Sequence, residues 1–526
     1  YREHSYDPTT TRQGAKYNGV GLESTSEAIK VLFSNVLNYE FDIGENQFSL
    51  LGGVEFEQEK ESVTYMRAQD YASPELEYMT SAATPITASG NSYFRYKLNS
   101  YIGRMRVNRQ NKYLLTLSAR YDGSSKFGPE NKYGFFPSGD IAWRISEEDF
   151  FPDMAVSNLK IRASYGLTGN DFIPSLRYLD LYSPSSFYLN QPGISISQIP
   201  NPSLKWESTA QTNLGLDLGF FTNRINLNID VYQKETIDLL LDRPLPTSTG
   251  FSGVTDNIGR LQNKGVEINL QSDNFTGDFS WSTIMNIAFN ENEVLELYND
   301  QPVDDIGRGG NRLEVGEPIG IFYGWNSLGV DPSTGDIVFE DVDGNELIDS
   351  RDRTKIGDPN PVFTGGLNNR FSWKGLALTI FFQYSYGNDI FNGTRVYLES
   401  MKGSDNQFAT VLDRWREPGD ITNVPRATNS DRNENNRHSS RFVEDGSYLK
   451  LKNLRLSYNL PQNLITRLGL TRMEIYLVGQ NLWTLTDYTG MDPEVNYAGQ
   501  DVTRLGTDFF TYPQAKSLSL GISMNF

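Results

Sequence analysis

The sequence has no cysteine among its 526 residues. Disulfide scaffolds, thiolate zinc sites and cysteine nucleophiles are therefore excluded. Histidine is nearly as scarce, because only His4 and His438 occur, and this excludes a histidine-rich metal centre. The chain also lacks an excess of positive charge. Its 47 basic residues face 66 acidic residues, for a formal net charge of −19, which argues against a protein that binds nucleic acid.

Long apolar runs are missing as well. The longest candidate, residues 376–382, falls short of the roughly 18 apolar residues that a membrane-spanning helix needs, so a helical membrane protein is excluded. The first residues, from Tyr1 to His4, show no Met, charged segment or apolar segment of an export signal. We interpret the sequence as a fragment or a processed product.

Large aromatic rings are abundant in contrast, with 29 Tyr, 30 Phe and 7 Trp. Many segments alternate apolar and polar residues with a period of two, which is the repeat of a β-strand. The last segment is the clearest, because Leu518, Leu520 and Ile522 fall on one face while Ser519 and Gly521 fall on the other. The pattern predicts an all-β protein.

Fifteen such segments predict fifteen strands, and the connections between them alternate strictly between tight turns and long loops. An outer-membrane β-barrel has this asymmetry, with tight turns on the periplasmic side and long loops outside the cell. A soluble β-sandwich also alternates, but apolar faces on fifteen strands would need a second sheet to cover them. The predicted strands lie near residues 27–42, 46–60, 94–108, 111–122, 134–146, 157–168, 206–220, 224–238, 263–274, 277–290, 361–372, 374–390, 440–460, 470–486 and 513–526.

Eight blocks of sequence point to a known family. They are residues 120–128 (RYDGSSKFG), 133–150 (YGFFPSGDIAWRISEEDF), 158–170 (NLKIRASYGLTGN), 201–225 (NPSLKWESTAQTNLGLDLGFFTNRI), 263–268 (NKGVEI), 357–366 (GDPNPVFTGG), 442–461 (FVEDGSYLKLKNLRLSYNLP) and 479–482 (GQNL). Together they resemble consecutive barrel segments of the SusC/RagA family of TonB-dependent outer-membrane transporters of Bacteroidetes. The resemblance is collinear and covers most of the chain, from about residue 6 to residue 526.

The resemblance implies a 22-stranded transmembrane antiparallel β-barrel with an N-terminal plug domain. A SusD-like surface lipoprotein would cover its outer mouth, and the TonB-ExbB-ExbD complex would supply energy for the import of oligosaccharides or peptides. We expect residues 1–526 to be the C-terminal part of such a barrel, holding the last fifteen strands and no plug. The remaining N-terminal strands and the plug would come from another segment. A last strand that ends in Phe526 also resembles the signal for insertion into the outer membrane.

One acidic segment has the ligand spacing of a calcium loop. Asp341, Asp343 and Asn345 occupy positions 1, 3 and 5 of a twelve-residue loop. Leu347 could offer its carbonyl at position 7, and the segment closes with Asp349 and Asp352. The pattern departs from the usual loop at position 6, where Glu replaces Gly, and at position 12, where Asp replaces Glu. A solvated acidic turn without an ion and a structural calcium site are both open readings.

The sequence offers little for catalysis, and we expect a protein that is not an enzyme. No G-x-S-x-G elbow, H-E-x-x-H motif or phosphate-binding glycine loop occurs. The run Glu147-Glu148-Asp149 is interpreted as solvated charge on a turn. Rings in the long loops could stack on sugars, but we favour packing within the loops or against a lid protein for most of them. These rings are Tyr182, Phe187, Tyr188, Tyr323, Trp325, Tyr488 and Tyr497.

Two functional hypotheses follow. The first is energised import across the outer membrane, with the barrel as the SusC-like partner of the lipoprotein. The second is a structural scaffold that anchors a surface lipoprotein complex in the outer membrane. A passive diffusion porin conflicts with the resemblance and with the expected barrel width, which needs a plug.

Overall fold

A computed structural model of the protein describes residues 2–84, 91–152, 155–188, 191–251, 253–403, 405–429, 433–499 and 501–526. Fifteen long strands form one antiparallel sheet in which each strand pairs with the next along the chain. In chain order they are β1 (Val20–Ile43), β2 (Asn46–Tyr71), β3 (Asn91–Arg109), β4 (Tyr113–Ser124), β5 (Tyr133–Arg144), β6 (Val156–Asn170), β7 (Glu207–Phe220), β8 (Ile225–Ile237), β9 (Arg260–Phe275), β10 (Phe279–Glu296), β11 (Phe363–Trp373), β12 (Leu376–Tyr386), β13 (Tyr448–Asn459), β14 (Arg472–Thr486) and β15 (Ser517–Asn525).

Fifteen shorter strands complete the described part of the chain. Arg2–Asp7 pairs with β1, and Ala82–Thr84 pairs with β2. The others form small sheets in the loops: Leu181–Tyr188 with Gln191–Gln198, Leu240–Pro244 with Gly253–Asn257, Val303–Ile306 with Asn311–Leu313, Ile321–Trp325 and Arg353–Gly357, Ser327–Val330 with Ile337–Phe339, and Asp389–Asn392 with Val443–Asp445 and Thr507–Asp508.

Helices are few and short. The α-helices are Arg12–Ala15, Gly393–Leu398 and Gln462–Ile465. The 3-10 helices are Met79–Ser81, Ile145–Glu147, Thr247–Thr249, Tyr298–Asp300, Ser350–Asp352, Ala409–Asp413, Ser440–Phe442, Thr466–Leu468 and Val502–Arg504. Within the described ranges, no helix has the length and apolar character needed to cross a membrane. The predicted all-β fold is confirmed.

The sheet has one apolar face and one polar face. A row of branched apolar side chains crosses the five strands β6 to β10, in the order Ile161, Leu216, Ile229, Ile268 and Ile287. The neighbouring row on the opposite face is polar and runs Lys160, Asp217, Asn228, Asn269 and Asn286. Successive residues of a strand point to opposite faces, so the alternation in the sequence produces these two rows directly.

The side chains of the apolar face are exposed or half-buried. Leu214, Leu518 and Leu520 are 58%, 68% and 75% exposed. Among the described residues no second sheet packs on this face. A soluble sandwich would bury these side chains between two sheets, so the sheet is built for an apolar environment outside the protein.

Short connections lie at one end of the sheet and long ones at the other, because neighbouring strands run antiparallel. The short connections are residues 44–45, 110–112, 145–155, 221–224, 276–278, 374–375 and 460–471. The long loops are residues 72–90, 125–132, 171–206, 238–259, 297–362, 387–447 and 487–516. The predicted strict alternation in size is wrong at one point, since 125–132 is shorter than 145–155 and 460–471. In this short loop Phe127 is fully buried and packs against Leu204 and Trp206.

Each of the fifteen predicted segments overlaps one long strand, but the number of strands is different. The described residues contain thirty strands, and the predictions missed the short ones in the loops. Most of these strands have only two to five residues, which is too short to show a period of two. The prediction also began β1 too late and ended β2 too early, since β1 starts at Val20 and β2 ends at Tyr71. The 22-stranded whole and the absent plug stay predictions.

The packed interior lies in the long loops and at the adjoining end of the sheet. One cluster contains Phe136, Ile173 and Trp206, and another contains Phe322, Phe391 and Phe442. The second cluster joins the four-stranded loop sheet to the segment that follows β12. The long loops therefore form an ordered layer on one end of the sheet.

Candidate functional site in the long loops

The acidic loop, residues 341–352, folds around the carboxylate of Asp341. One carboxylate oxygen accepts hydrogen bonds from the backbone N–H groups of Gly344 and Asn345, at 2.8 and 3.2 Å. The other oxygen accepts a hydrogen bond from the N–H group of Glu346, at 2.7 Å. Three consecutive backbone amides thus turn inward toward the first predicted ligand.

Asp352 closes the loop from its other end. Its carboxylate is buried and accepts hydrogen bonds from the backbone N–H groups of Asp349 and Val342, at 2.7 and 2.9 Å. The N–H group of Asp349, followed by those of Val342 and Asp343, lowers the pKa of Asp352 below its ordinary value. The group therefore stays ionised at neutral pH.

Three of the six predicted ligands converge. Carboxylate oxygens of Asp341, Asp343 and Asp352 all lie within 4.8 Å of one another. These residues stand at positions 1, 3 and 12 of the predicted loop, and hard oxygen ligands of this kind suit calcium. The donor set and its spacing fit such an ion.

Of the other three predicted ligands, Asp349 lies outside this carboxylate cluster, while the Asn345 amide donates a hydrogen bond to Asp343 at 2.9 Å. The Asp349 carboxylate faces the Arg351 guanidinium at 2.8 Å, and this partner lowers the pKa of Asp349. The side-chain oxygen of Asn345 accepts a hydrogen bond from the N–H group of Leu347, at 2.7 Å. Arg351 also lies 3.5 Å from Asp343 and offsets part of the negative charge. Whether calcium binds remains a prediction.

Glu346 takes the backbone conformation that position 6 requires. Its φ angle is +63°, in the left-handed region that favours glycine. The sequence departs from the calcium-loop pattern at this position, yet the chain still makes the same sharp turn. The three amides that bind Asp341 hold the strained residue in place.

Side chains from outside the acidic loop anchor it to the loop layer. The indole N–H of Trp325 donates to the carbonyl of Asp349 at 2.8 Å. The guanidinium of Arg437 donates to the carbonyl of Ile348 at 3.2 Å and lies 4.9 Å from the Trp325 ring centre. The sequence identified Trp325 as an aromatic residue of a long loop. It did not predict the hydrogen bond from Trp325 to Asp349.

Most of the rings singled out in the sequence pack within the loops. Tyr488 is buried and donates its hydroxyl to Asp508 at 2.7 Å. Tyr323 lies beneath the Arg312 guanidinium, at 3.8 Å from the ring centre. Tyr182 and Phe187 are different, because they are 58% and 73% exposed, while the side chain of Tyr188 lies outside the described residues.

The polar face of the sheet carries a charge network. The Arg162 guanidinium binds Asp217 on β7 at 2.8 Å and Asp230 on β8 at 3.0 Å. Asn228 and Asn213 donate to the same two carboxylates, at 2.8 and 2.9 Å. This polar face is the opposite of the exposed apolar face, as expected for the wall of an aqueous lumen.

The acidic turn at the short-connection end corrects one interpretation. Asp149 is fully exposed as expected, with a surface ion pair to Lys112 at 3.1 Å, but the Glu148 side chain is shielded. The Glu148 carboxylate accepts hydrogen bonds from the Tyr113 hydroxyl at 2.6 Å, the Trp143 indole at 2.9 Å and Lys112 at 3.3 Å. The Tyr113 hydroxyl and the Trp143 indole lower its pKa most. Sequence alone could not place these donors, because two of them lie about 35 residues away.

The sequence matches a known family over most of its length. The family model described as "TonB dependent receptor-like, beta-barrel" covers residues 1–482. The chain belongs to this family. The TonB-dependent receptor P3 of Formosa agariphila is 37% identical over 99% of this chain and 55% of the relative. SusC of Bacteroides thetaiotaomicron is 30% identical over 98% of this chain and 52% of the relative.

Solved structures agree with the family. The RagAB peptide transporter superposes on the whole of this chain and on 58% of its own, with a TM-score of 0.86 and 27% sequence identity. The predicted SusC/RagA resemblance is therefore confirmed. This receptor barrel spans about half the length of the curated relatives that it matches. Its relatives are named as receptors and transporters rather than enzymes, and the family is one of the outer membrane.

Proposed function

We propose that this chain is the barrel portion of a SusC-like transporter that imports oligosaccharides or peptides across the outer membrane. The observation that carries the proposal is the similarity to SusC and to the RagAB transporter along nearly the whole chain. The complete protein draws energy from the TonB-ExbB-ExbD complex through a plug domain. The loop layer and the polar face supply the route along which the substrate passes.

In this proposal the apolar face contacts lipid, the short connections are periplasmic and the long loops are extracellular. Tyr113 and Trp143 stack at the short-connection end, where amphipathic rings suit a membrane interface. Within the described residues, β15 pairs only with β14. An unpaired edge costs several kcal/mol per backbone group in lipid, so further strands complete the barrel around the plug.

A SusD-like surface lipoprotein covers the long loops in the proposed complex. The exposed rings Tyr182 and Phe187 support this, because aromatic side chains are enriched at the centres of protein interfaces. The acidic loop has a structural role beside it. Asp341, Asp343 and Asp352 would hold a calcium ion that keeps the loop in register with Trp325 and Arg437.

The test of energised import is made in cells with the complete protein. Deletion of the TonB-contacting segment should abolish uptake of the nutrient that the intact protein imports, while insertion into the outer membrane is unchanged. Insertion is measured by surface labelling of the long loops. Undiminished uptake in the deletion would reject the energised mechanism and leave the scaffold hypothesis, in which the barrel only anchors a surface lipoprotein complex.

A further inference from the structure

The last three long loops line a cavity of about 260 Å³. Its walls include the rings of Phe391, Tyr397, Phe509 and His438, together with Arg308. Pockets that hold a whole drug-sized ligand measure about 300 to 1,000 Å³. The cavity is therefore suited to one residue of an oligomer rather than to the whole molecule.

Arg308 is the exposed cation of this cavity. The carbon of its guanidinium lies 4.0 Å from the ring centre of Phe509, so the planar group stacks on the ring. No described carboxylate forms an ion pair with it. Its neighbour Arg312 differs, since it pairs with Asp304 at 3.3 Å and with Glu314 at 3.1 Å. The N–H edges of Arg308 are thus available to a ligand.

The backbone around Arg308 is held in one conformation. Its N–H group donates to the Tyr497 hydroxyl at 2.9 Å. Gly307 and Gly310 have φ angles of +73° and +63°, in the left-handed region. A Cβ at the intervening Gly309 would lie 2.2 Å from the hydroxyl oxygen of the fully buried Thr507. The glycines therefore let the segment pack directly against the loop layer. This packing fixes the backbone position from which the Arg308 side chain extends.

The ring that carries Arg308 is itself fixed by other rings. Phe509 contacts Tyr397 edge-on at 5.3 Å and Phe510 at 5.0 Å, measured between ring centres. Phe391 contacts His438 in the same manner at 5.3 Å. Apolar walls beside a guanidinium limit the access of water to its N–H groups. Water then competes less with an anion for these groups, and the ion pair is stronger. The planar fork of arginine matches a carboxylate with two parallel hydrogen bonds.

We propose that this cavity is a subsite for a carboxylate-bearing residue of the imported oligomer. Arg308 pairs with the carboxylate, and the exposed face of Tyr397 packs against the residue that bears it. The inference rests on the proposed function, because the oligomer is the one presented for import. The carboxylate could belong to a uronic acid of an oligosaccharide or to a peptide, and the experiment separates these two sources.

The experiment measures binding to the purified complete protein with its lipoprotein partner in detergent. Two matched probe pairs are titrated: oligogalacturonate with its neutral methyl ester, and a short peptide with its C-terminally amidated form in which other acids are absent. In at least one pair the carboxylate form should bind more tightly. Arg308→Gln should weaken binding of that form by at least about tenfold and leave the neutral form unchanged. Arg308→Lys should give an intermediate loss, because it keeps the charge without the fork.

Arg416→Gln is the matched control. Arg416 is also exposed in the loop layer, and its guanidinium donates to the carbonyl of Leu412 rather than stacking in the cavity. The Arg416→Gln variant should bind all four probes as tightly as the parent protein does. The pair that shows the difference identifies the source of the carboxylate.

Two results would overturn the subsite. One is equal behaviour of the charged and neutral members in both pairs, including the case in which neither member binds. The other is unchanged carboxylate binding in Arg308→Gln. Binding in detergent needs neither TonB nor an energised membrane. A failure of energised uptake in the deletion test therefore rejects the proposed function alone, and a failure here rejects the subsite alone.

Discussion

Two acidic runs lie at opposite ends of the sheet and satisfy their charges in different ways. At the short-connection end, Glu148 accepts hydrogen bonds from the side chains of Tyr113, Trp143 and Lys112. In the long loops, the acidic loop uses backbone N–H groups instead, with three turned to Asp341 and others to Asp352. Both runs look alike as rows of acids in the sequence.

The difference shows what each region depends on. The donors of Glu148 lie at strand ends, whose positions the sheet fixes. They therefore stay in place even when the turn itself is poorly ordered. The acidic loop has to fold in order to present its own amides, and its converging carboxylates repel one another. We therefore expect the loop to be sensitive to the loss of one carboxylate and to a cation, and the turn to be insensitive to a cation.

Asp352→Ala should produce the largest effect. The substitution removes the buried carboxylate that accepts from the N–H groups of Val342 and Asp349, so the acidic loop should open far more often. Amide hydrogen exchange in residues 341–352 should accelerate on the order of a hundredfold. Asp352→Asn keeps one acceptor oxygen and should accelerate exchange much less. Unchanged exchange in the alanine variant would show that these hydrogen bonds do not hold the loop.

Calcium should have the next largest effect. Millimolar calcium should slow amide exchange and proteolysis of the acidic loop in the parent by about tenfold, because a bound ion stabilises only the folded loop. The double variant with Asp341→Ala and Asp343→Ala should have a less ordered loop that calcium does not change. Identical protease sensitivity of the parent with and without calcium would remove the metal site.

Glu148→Ala should have the smallest effect of the three. Loss of the common acceptor of Tyr113 and Trp143 should accelerate amide exchange in the turn after β5 several-fold, with no response to calcium. Asp149→Ala is the control and should have a much smaller effect, since the Asp149 side chain is fully exposed and its contact with Lys112 at 3.1 Å is a surface ion pair. Equal effects of the two substitutions would show that Glu148 behaves as an ordinary solvated turn residue.

The pH dependence sharpens the same contrast. Because the Tyr113 hydroxyl lowers the pKa of Glu148, the folded turn holds the carboxylate ionised more strongly than the unfolded chain does. The stabilisation is fully present above the ordinary pKa of 4.5 and is lost as the pH falls through the lowered value. Exchange in the parent turn should accordingly accelerate only below about pH 4.5, and Glu148→Ala should not show this step.

The long strands could be predicted because their two faces meet different environments, one apolar and one polar. Apolar and polar residues therefore alternate along each strand. The same principle explains where the prediction stopped. The predicted strands began at residue 27 and ended at residue 60, but β1 and β2 continue as a ladder from Val20 to Tyr71. Beyond the apolar zone both faces meet polar surroundings, so the period of two fades while the backbone hydrogen bonds persist.

The candidate functional residues divide in the same manner. The convergence of Asp341, Asp343 and Asp352 was predictable because these carboxylates lie within twelve residues of sequence. The cavity around Arg308 was not, because Arg308 and Tyr497 meet across 189 residues of sequence. The one local signal was the run Gly307-Arg308-Gly309-Gly310, an arginine among residues that permit close packing. Three-dimensional proximity of separate loops leaves no such pattern in a single sequence.

The hairpin of β1 and β2 has a consequence for the geometry of the cell surface. At about 3.3 Å per residue, the 26 residues of β2 extend roughly 85 Å, whereas the hydrocarbon layer is about 30 Å thick. Even a strong tilt leaves a large part of the ladder above the lipid in the proposed orientation. In that orientation the hairpin projects from the membrane surface as a continuous antiparallel ladder.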